Sequence, residues 1–136
     1  MRSTPRARAT LAAVGARAFA AGIATVATAA SVLDFDVWMR AIDKHSVDVQ
    51  KNIEARKPEA AVTDAQELSR LYGLMQTYFV DDGHAADAVE LSRSGKALAD
   101  AIAPALAAKD YDTAAKAALD LSHACNDCHD VHKPFQ

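Results

Sequence analysis

The last fourteen residues, HACNDCHDVHKPFQ, carry most of the chain's chemically versatile side chains. His123, Cys125, Cys128, His129 and His132 fall within ten positions, and these cysteines are the only two in the protein. Cys125-Asn126-Asp127-Cys128-His129 has the form C-x-x-C-H, the attachment pattern for a c-type haem. The spacing has a physical reason. Two thiols one helical turn apart can reach the vinyl groups on adjacent edges of one porphyrin and bond each as a thioether. The following histidine then lies under the ring and offers an imidazole to the iron. His129 is therefore the candidate proximal ligand, and Cys125 and Cys128 are the candidate anchors of one covalent haem c.

Three other chemistries compete for the same residues. A dithiol redox motif belongs after a strand in a βαβ unit, and no stretch here alternates like a strand. A zinc site would draw on His123, Cys125, Cys128 and His129 or His132, but structural zinc normally closes a loop between two separated ligand pairs, and no upstream pair exists. Purely structural cysteines would need no His129, and a bridge across two intervening residues would constrain almost nothing.

The start of the chain agrees with haem attachment, which takes place outside the cytoplasm. MRSTPRARATLAAVGAR carries four arginines and no acid, AFAAGIATVATAA follows as a compact apolar run, and Ala27-Thr28-Ala29 has the A-x-A form of a signal-peptidase site. Residues 1–30 read as an export signal, too short in its apolar part for a membrane span. Residues 31–136 are then a periplasmic domain with no transmembrane anchor after cleavage. All 18 acids lie after Ala30, against 11 of the 15 Lys and Arg, so the mature formal charge is −7. No basic field points to nucleic acid.

Stepping outward from the cysteines, 51% hydrophobic residues with only 6% aromatics, 5 Gly and 4 Pro favour helices packed through small side chains. A first helix is expected from about Asp34 to Arg56, with Met39, Ile42, Ser46, Val49 and Ile53 on one face. Thr63 and Gln66 suggest a capping box opening a second, striped by Leu68, Leu71, Met75 and Tyr78 and ending at Asp81-Asp82-Gly83. A third runs from about Ala85 to Ala108 through Ala88, Leu91, Gly95, Leu98, Ile102 and Ala105, with Pro104 expected to kink it or end its regular part. Asp110 is the N-cap expected for a fourth, whose seam Tyr111, Ala114, Ala118, Leu121 runs on into Cys125, Cys128 and His132. The fold class is all-α, an antiparallel four-helix bundle with the haem near the end of the last helix.

With C-x-x-C-H on the last of four helices, the chain resembles the class II cytochromes c, the cytochrome c′ group and its low-spin methionine-ligated relatives. That family has Arg or Lys four residues after the histidine, and Lys133 stands there as a possible propionate contact. The link around Asp81 to His84 is shorter than is usual in the family. The compact chain also resembles the soluble four-helix cytochrome b, which lacks the thioether cysteines.

In the low-spin relatives a methionine early in the first helix completes the iron's coordination. Met39 matches that position, and the resemblance makes it the candidate sixth ligand. Met75, half-way along the second helix, ranks behind it; His45 reads as a surface residue and His84 as part of a solvated turn. His123 and His132 lie too close to the attachment point to reach across the ring. Phe35, Trp38 and Tyr111 are candidates to close the pocket, and Arg40 and Lys44 to pair with propionates. The implied function is electron transfer by a monohaem cytochrome, not enzymatic catalysis, with redox partners that carry a basic docking surface, as a monomer or homodimer. The alternative is a high-spin haem protein whose open sixth position binds nitric oxide or carbon monoxide.

Overall fold

The structure is a computed structural model that describes residues 29–132. The expected export signal thus lies almost wholly outside the described residues, and Lys133 lies outside them too. Four helices make up the fold: α1 Val32–Glu54, α2 Pro58–Asp82, α3 Ala86–Ala107 and α4 Tyr111–Val131. No strand occurs among the described residues. Each link is three residues long, which forces successive helices to run antiparallel. Each helix packs on the next, and α1 closes the ring against α4.

The helix ends have local causes. Ser31 caps α1 in a capping box: its hydroxyl accepts from the Asp34 N–H, and the Asp34 carboxylate accepts from the Ser31 N–H at 2.8 Å. Asp110 caps α4 as expected, accepting from the Thr113 N–H at 3.0 Å. The start of α2 differs from expectation. It begins at Pro58, not Thr63, and the Thr63 hydroxyl bonds back to the Glu59 carbonyl inside the helix. Proline suits a first helical position, because the N–H it lacks would have no partner there and its φ is already helical. Pro104 does not end α3 either; the helix runs three residues further to Ala107, at the cost of the one bond that position 104 would make to the carbonyl four residues back.

The links reverse the chain through left-handed residues. Arg56 (φ 57°), Gly83 (φ 71°) and Lys109 (φ 58°) each stand just beyond a helix end. Around Arg56 and Lys109 the closing bonds are complete: Lys57 N–H reaches the Asn52 carbonyl and Asp110 N–H the Ala105 carbonyl, both at 2.9 Å.

The apolar faces meet in one core. Ile42, Val49, Leu68, Leu71, Ile102 and Leu121 are the large side chains most completely enclosed. On α3 the enclosed stripe is Ala88, Ser92, Gly95, Ala99, Ile102 and Leu106; the expected Leu91 and Leu98 are only half-buried. Small residues face inward because α2 and α3 approach closely, and the leucines flank the contact.

Candidate functional site

Helix α4 continues without interruption through Cys125, Cys128 and His129. Cys125 and Cys128 are therefore one turn apart, and His129 follows Cys125 by one turn on the same face. Both cysteines are free thiols, half-buried. They line a cavity of about 20 Å³ together with His129, Met39, Met75, Tyr72, Ile42, Leu91, Ser92 and Ala124. All four helices contribute to that wall: α1 sends Met39, α2 Tyr72 and Met75, α3 Leu91 and Ser92, α4 the cysteines and histidine.

His129 is the polar anomaly of this wall. Its Nε2 is fully buried and has no hydrogen-bond partner among the described residues. A buried ring nitrogen left without a partner costs free energy, on the order of 1–3 kcal/mol, so it needs a partner that the described residues do not supply; Ser46 Oγ is buried without one as well.

The thiols are not set up as nucleophiles. Burial pushes the Cys125 thiol up from its ordinary pKa, and burial, with Cys125 and Asp87 beside it, does the same at Cys128. Burial likewise raises the Tyr72 phenol, with the Cys125 thiol adding to the effect. The Tyr72 hydroxyl lies 3.0 Å from Cys125 Sγ. Reactive dithiol sites depress a thiol pKa instead. Nor do the residues converge for zinc: no three His, Cys, Asp or Glu side chains among the described residues gather as a metal-ligand set. His123 is exposed, and His132 points its Nε2 to Asp87 at 2.7 Å.

Met39 also lines a separate, larger groove of about 590 Å³, with Val32, Leu33, Phe35, Tyr78, Phe79 and His132 among others. Phe35 stacks on Tyr78 at 4.9 Å and meets Phe79 edge-on at 5.5 Å, and Trp38 lies edge-on to Tyr78 at 6.5 Å. Phe35 lines the groove and not the cavity, and Trp38 lines neither.

Several expected neighbours stand elsewhere. Tyr111 opens α4, so its helix carries it about 21 Å from Cys125, and its ring stacks under the Arg56 guanidinium at 4.1 Å instead. It cannot close the pocket. Arg40 pairs with Asp36, and Lys44 with Asp48 at 2.6 Å, both on the outer surface. His45 is not a plain surface residue: it is half-buried, with Nδ1 2.8 Å from Asp64, which also accepts from Asn52 at 2.8 Å. Met75, ranked behind Met39 from its place in the chain, lines the same cavity and is the more deeply buried of the two. Tyr72 was not legible as a site residue, nor was the close fit of Gly95 against it.

The donors and lining suit a haem: two free thiols, an unpartnered imidazole nitrogen, two thioethers and otherwise apolar walls. The cavity itself has room for about one water. Space for a macrocycle has to come from the flexible side chains of Met39 and Met75 and from the groove that Met39 also lines.

Comparison with known proteins identifies no relative: no family model matches the chain, and no curated protein and no solved structure matches it. The fold and the site stand on the residues alone.

Proposed function

We propose that this chain is an exported monohaem c-type cytochrome of the class II type, acting as a one-electron carrier. The observation that supports it most is the buried, unpartnered His129 Nε2 in a cavity shared with Cys125, Cys128 and Met39. Cys125 and Cys128 would hold the haem by adding their S–H bonds across its two vinyl groups, each sulfur bonding carbon and each hydrogen passing to the neighbouring carbon. His129 Nε2 and the Met39 thioether would hold the iron. The bound group supplies an iron that takes up and releases one electron. The chain's part is to hold it: α4 fixes the imidazole, while Ile42, Leu91 and Phe35 keep water away. Lys133 is assigned to a propionate by its position four residues after His129.

Export is supported by the charge and apolar pattern of residues 1–30, and by the start of the domain itself. The cap of α1 is Ser31, immediately after the proposed cleavage region at Ala29 and Ala30. No described helix is long and apolar enough to cross a membrane. The acidic mature chain favours redox partners with a basic face, and no catalytic role is assigned.

The test is production with haem-maturation machinery, followed by acid–acetone extraction and visible spectroscopy. The expected result is colour that stays with the polypeptide and a low-spin ferric spectrum. Met39→Ala should turn the haem high-spin, lower its potential and admit carbon monoxide. Complete extraction of the haem, or stoichiometric zinc in its place, overturns the proposal. A high-spin wild type that binds carbon monoxide assigns gas binding instead. A spectrum that survives Met39→Ala but collapses in Met75→Ala moves the sixth ligand to α2.

A further inference from the structure

The two candidate anchor thiols are not equivalent. Cys125 has the Tyr72 hydroxyl on its sulfur at 3.0 Å, with Ser46 of α1 also beside it, whereas no hydrogen bond involves the Cys128 side chain among those described. Tyr72 reaches that position because of a gap in the opposite helix. The phenol ring lies against Gly95 of α3 so closely that a Cβ there would meet Tyr72 Cε1 at 2.3 Å and Cδ1 at 2.6 Å. Gly95 sits in the interior of a helix, where glycine is disfavoured relative to alanine. It is one of the small residues on the enclosed face of α3, between Ser92 and Ala99. Tyr72 itself is only 4% exposed. A helix thus gives up a side chain, and the space admits one ring whose polar tip ends on one sulfur.

We infer that Tyr72 is a positioning residue: seated in the Gly95 notch, its hydroxyl holds Cys125 Sγ toward the cavity and distinguishes it from Cys128. In the free thiol either partner can donate. Once the sulfur is a thioether it has no hydrogen, so only the Tyr72 O–H can donate, and the sulfur becomes its acceptor. The same contact therefore serves before and after attachment. That second role rests on the haem reading; the first does not.

The test uses the full mature chain in two arms. In the first, the haem-free protein is alkylated with iodoacetamide and the two cysteines are followed separately by peptide mass spectrometry. Tyr72→Phe keeps the ring in the notch and removes only the hydroxyl, which as a donor favours the reactive thiolate of Cys125, so Cys125 should react more slowly, by roughly fivefold, the usual worth of one hydrogen bond, while Cys128 keeps its rate. Gly95→Ala, which displaces the ring, should show the same selectivity. An equal change at both cysteines, or no change at Cys125 in either variant, overturns the inference. In the second arm the protein matures with haem, and intact mass and peptide mapping count thioethers. Tyr72→Phe should raise the fraction of chains joined through Cys128 alone. An unchanged distribution removes the role in attachment. Absence of covalent haem on the wild type would sink the cytochrome proposal but leave the alkylation result standing.

Discussion

The two ends of the bundle are built to different rules. At one end α1 turns into α2 and α3 into α4. Both links there carry a left-handed residue, Arg56 or Lys109, and complete closing bonds. The core behind them, with Val49, Ile53, Ala61, Ala65, Leu68, Ile102 and Ala118, is essentially without exposure. At the other end lie the single link through Gly83 and the outer ends of α1 and α4. There the cysteines are half-buried, His129 Nε2 lacks a partner, and a groove opens beside Met39. Of the seven large apolar residues left exposed among the described residues, Val32, Leu33, Val37, Val80 and Val131 are at this end. Stability and chemistry have been separated along the helix axes. The closed end can tolerate no gap, and the site end leaves groups unsatisfied that a ligand would satisfy.

The largest effect should come from carving into the closed end. Leu68 is fully enclosed, so Leu68→Ala should cost about 2–5 kcal/mol. Met39 is half-buried beside an existing groove, so Met39→Ala should cost the haem-free protein clearly less. Urea unfolding of both variants without haem measures this, and equal losses would erase the distinction between the ends.

A gain of roughly 0.5–1 kcal/mol is expected for Lys109→Gly, since lysine carries a left-handed penalty at φ 58° that glycine does not. Thermal unfolding should show a modest rise in Tm. A fall would mean that the Lys109 side chain, not its backbone, holds the link.

Smallest per group is the acid response. Asp34, Asp87 and Asp110 are each held below the ordinary carboxylate value of 3.8: Asp34 by the Ser31 N–H and hydroxyl, Asp87 by His132, and Asp110 by Thr113. A carboxyl whose folded value lies below its unfolded one stabilises the fold above the unfolded value. That contribution disappears as the pH falls through the folded value. Melting of the haem-free protein should therefore be level from neutrality to about pH 5 and fall below pH 4. Asp34→Asn and Asp87→Asn, both at the site end, should flatten that fall. If only Asp110→Asn flattens it, acid sensitivity belongs to the closed end.

Much of this was legible from periodicity. The seam of α4 led straight from Ala114 to Cys125 because every inward position obeys the helical repeat, and Asp110 capped it where a short acceptor was needed. Helix count and the placement of Met39 followed in the same way. What escaped depended on a second helix. Tyr72 is next to Leu71, off the obvious stripe, and becomes a site residue only because Gly95, on another helix, leaves room. Ser92 and Ala99 look neutral in sequence beside Leu91 and Leu98, yet the close approach of α2 and α3 puts the small residues inside. His45 resembles any helix-surface histidine until Asp64, nineteen residues on, meets it. Pro58 was a readable start signal, masked by the more familiar look of Thr63 and Gln66.

The up-and-down order of the helices also sets a clock. Apart from the closure of α1 on α4, every helix pairs with its immediate successor in the chain, and bundles with such local contacts fold in microseconds to milliseconds. The chain can thus reach its compact form long before a slow covalent maturation of the proposed kind would act. Once there, the space between the two thiols and the methionines is about that of a single water. If haem is attached as proposed, folding and attachment compete in time. Its delivery would then have either to delay the docking of α4, the last of the four described helices, or to wait for that end of the bundle to open. Sequence changes that slow the docking of α4 without weakening the finished fold would raise the yield of holoprotein.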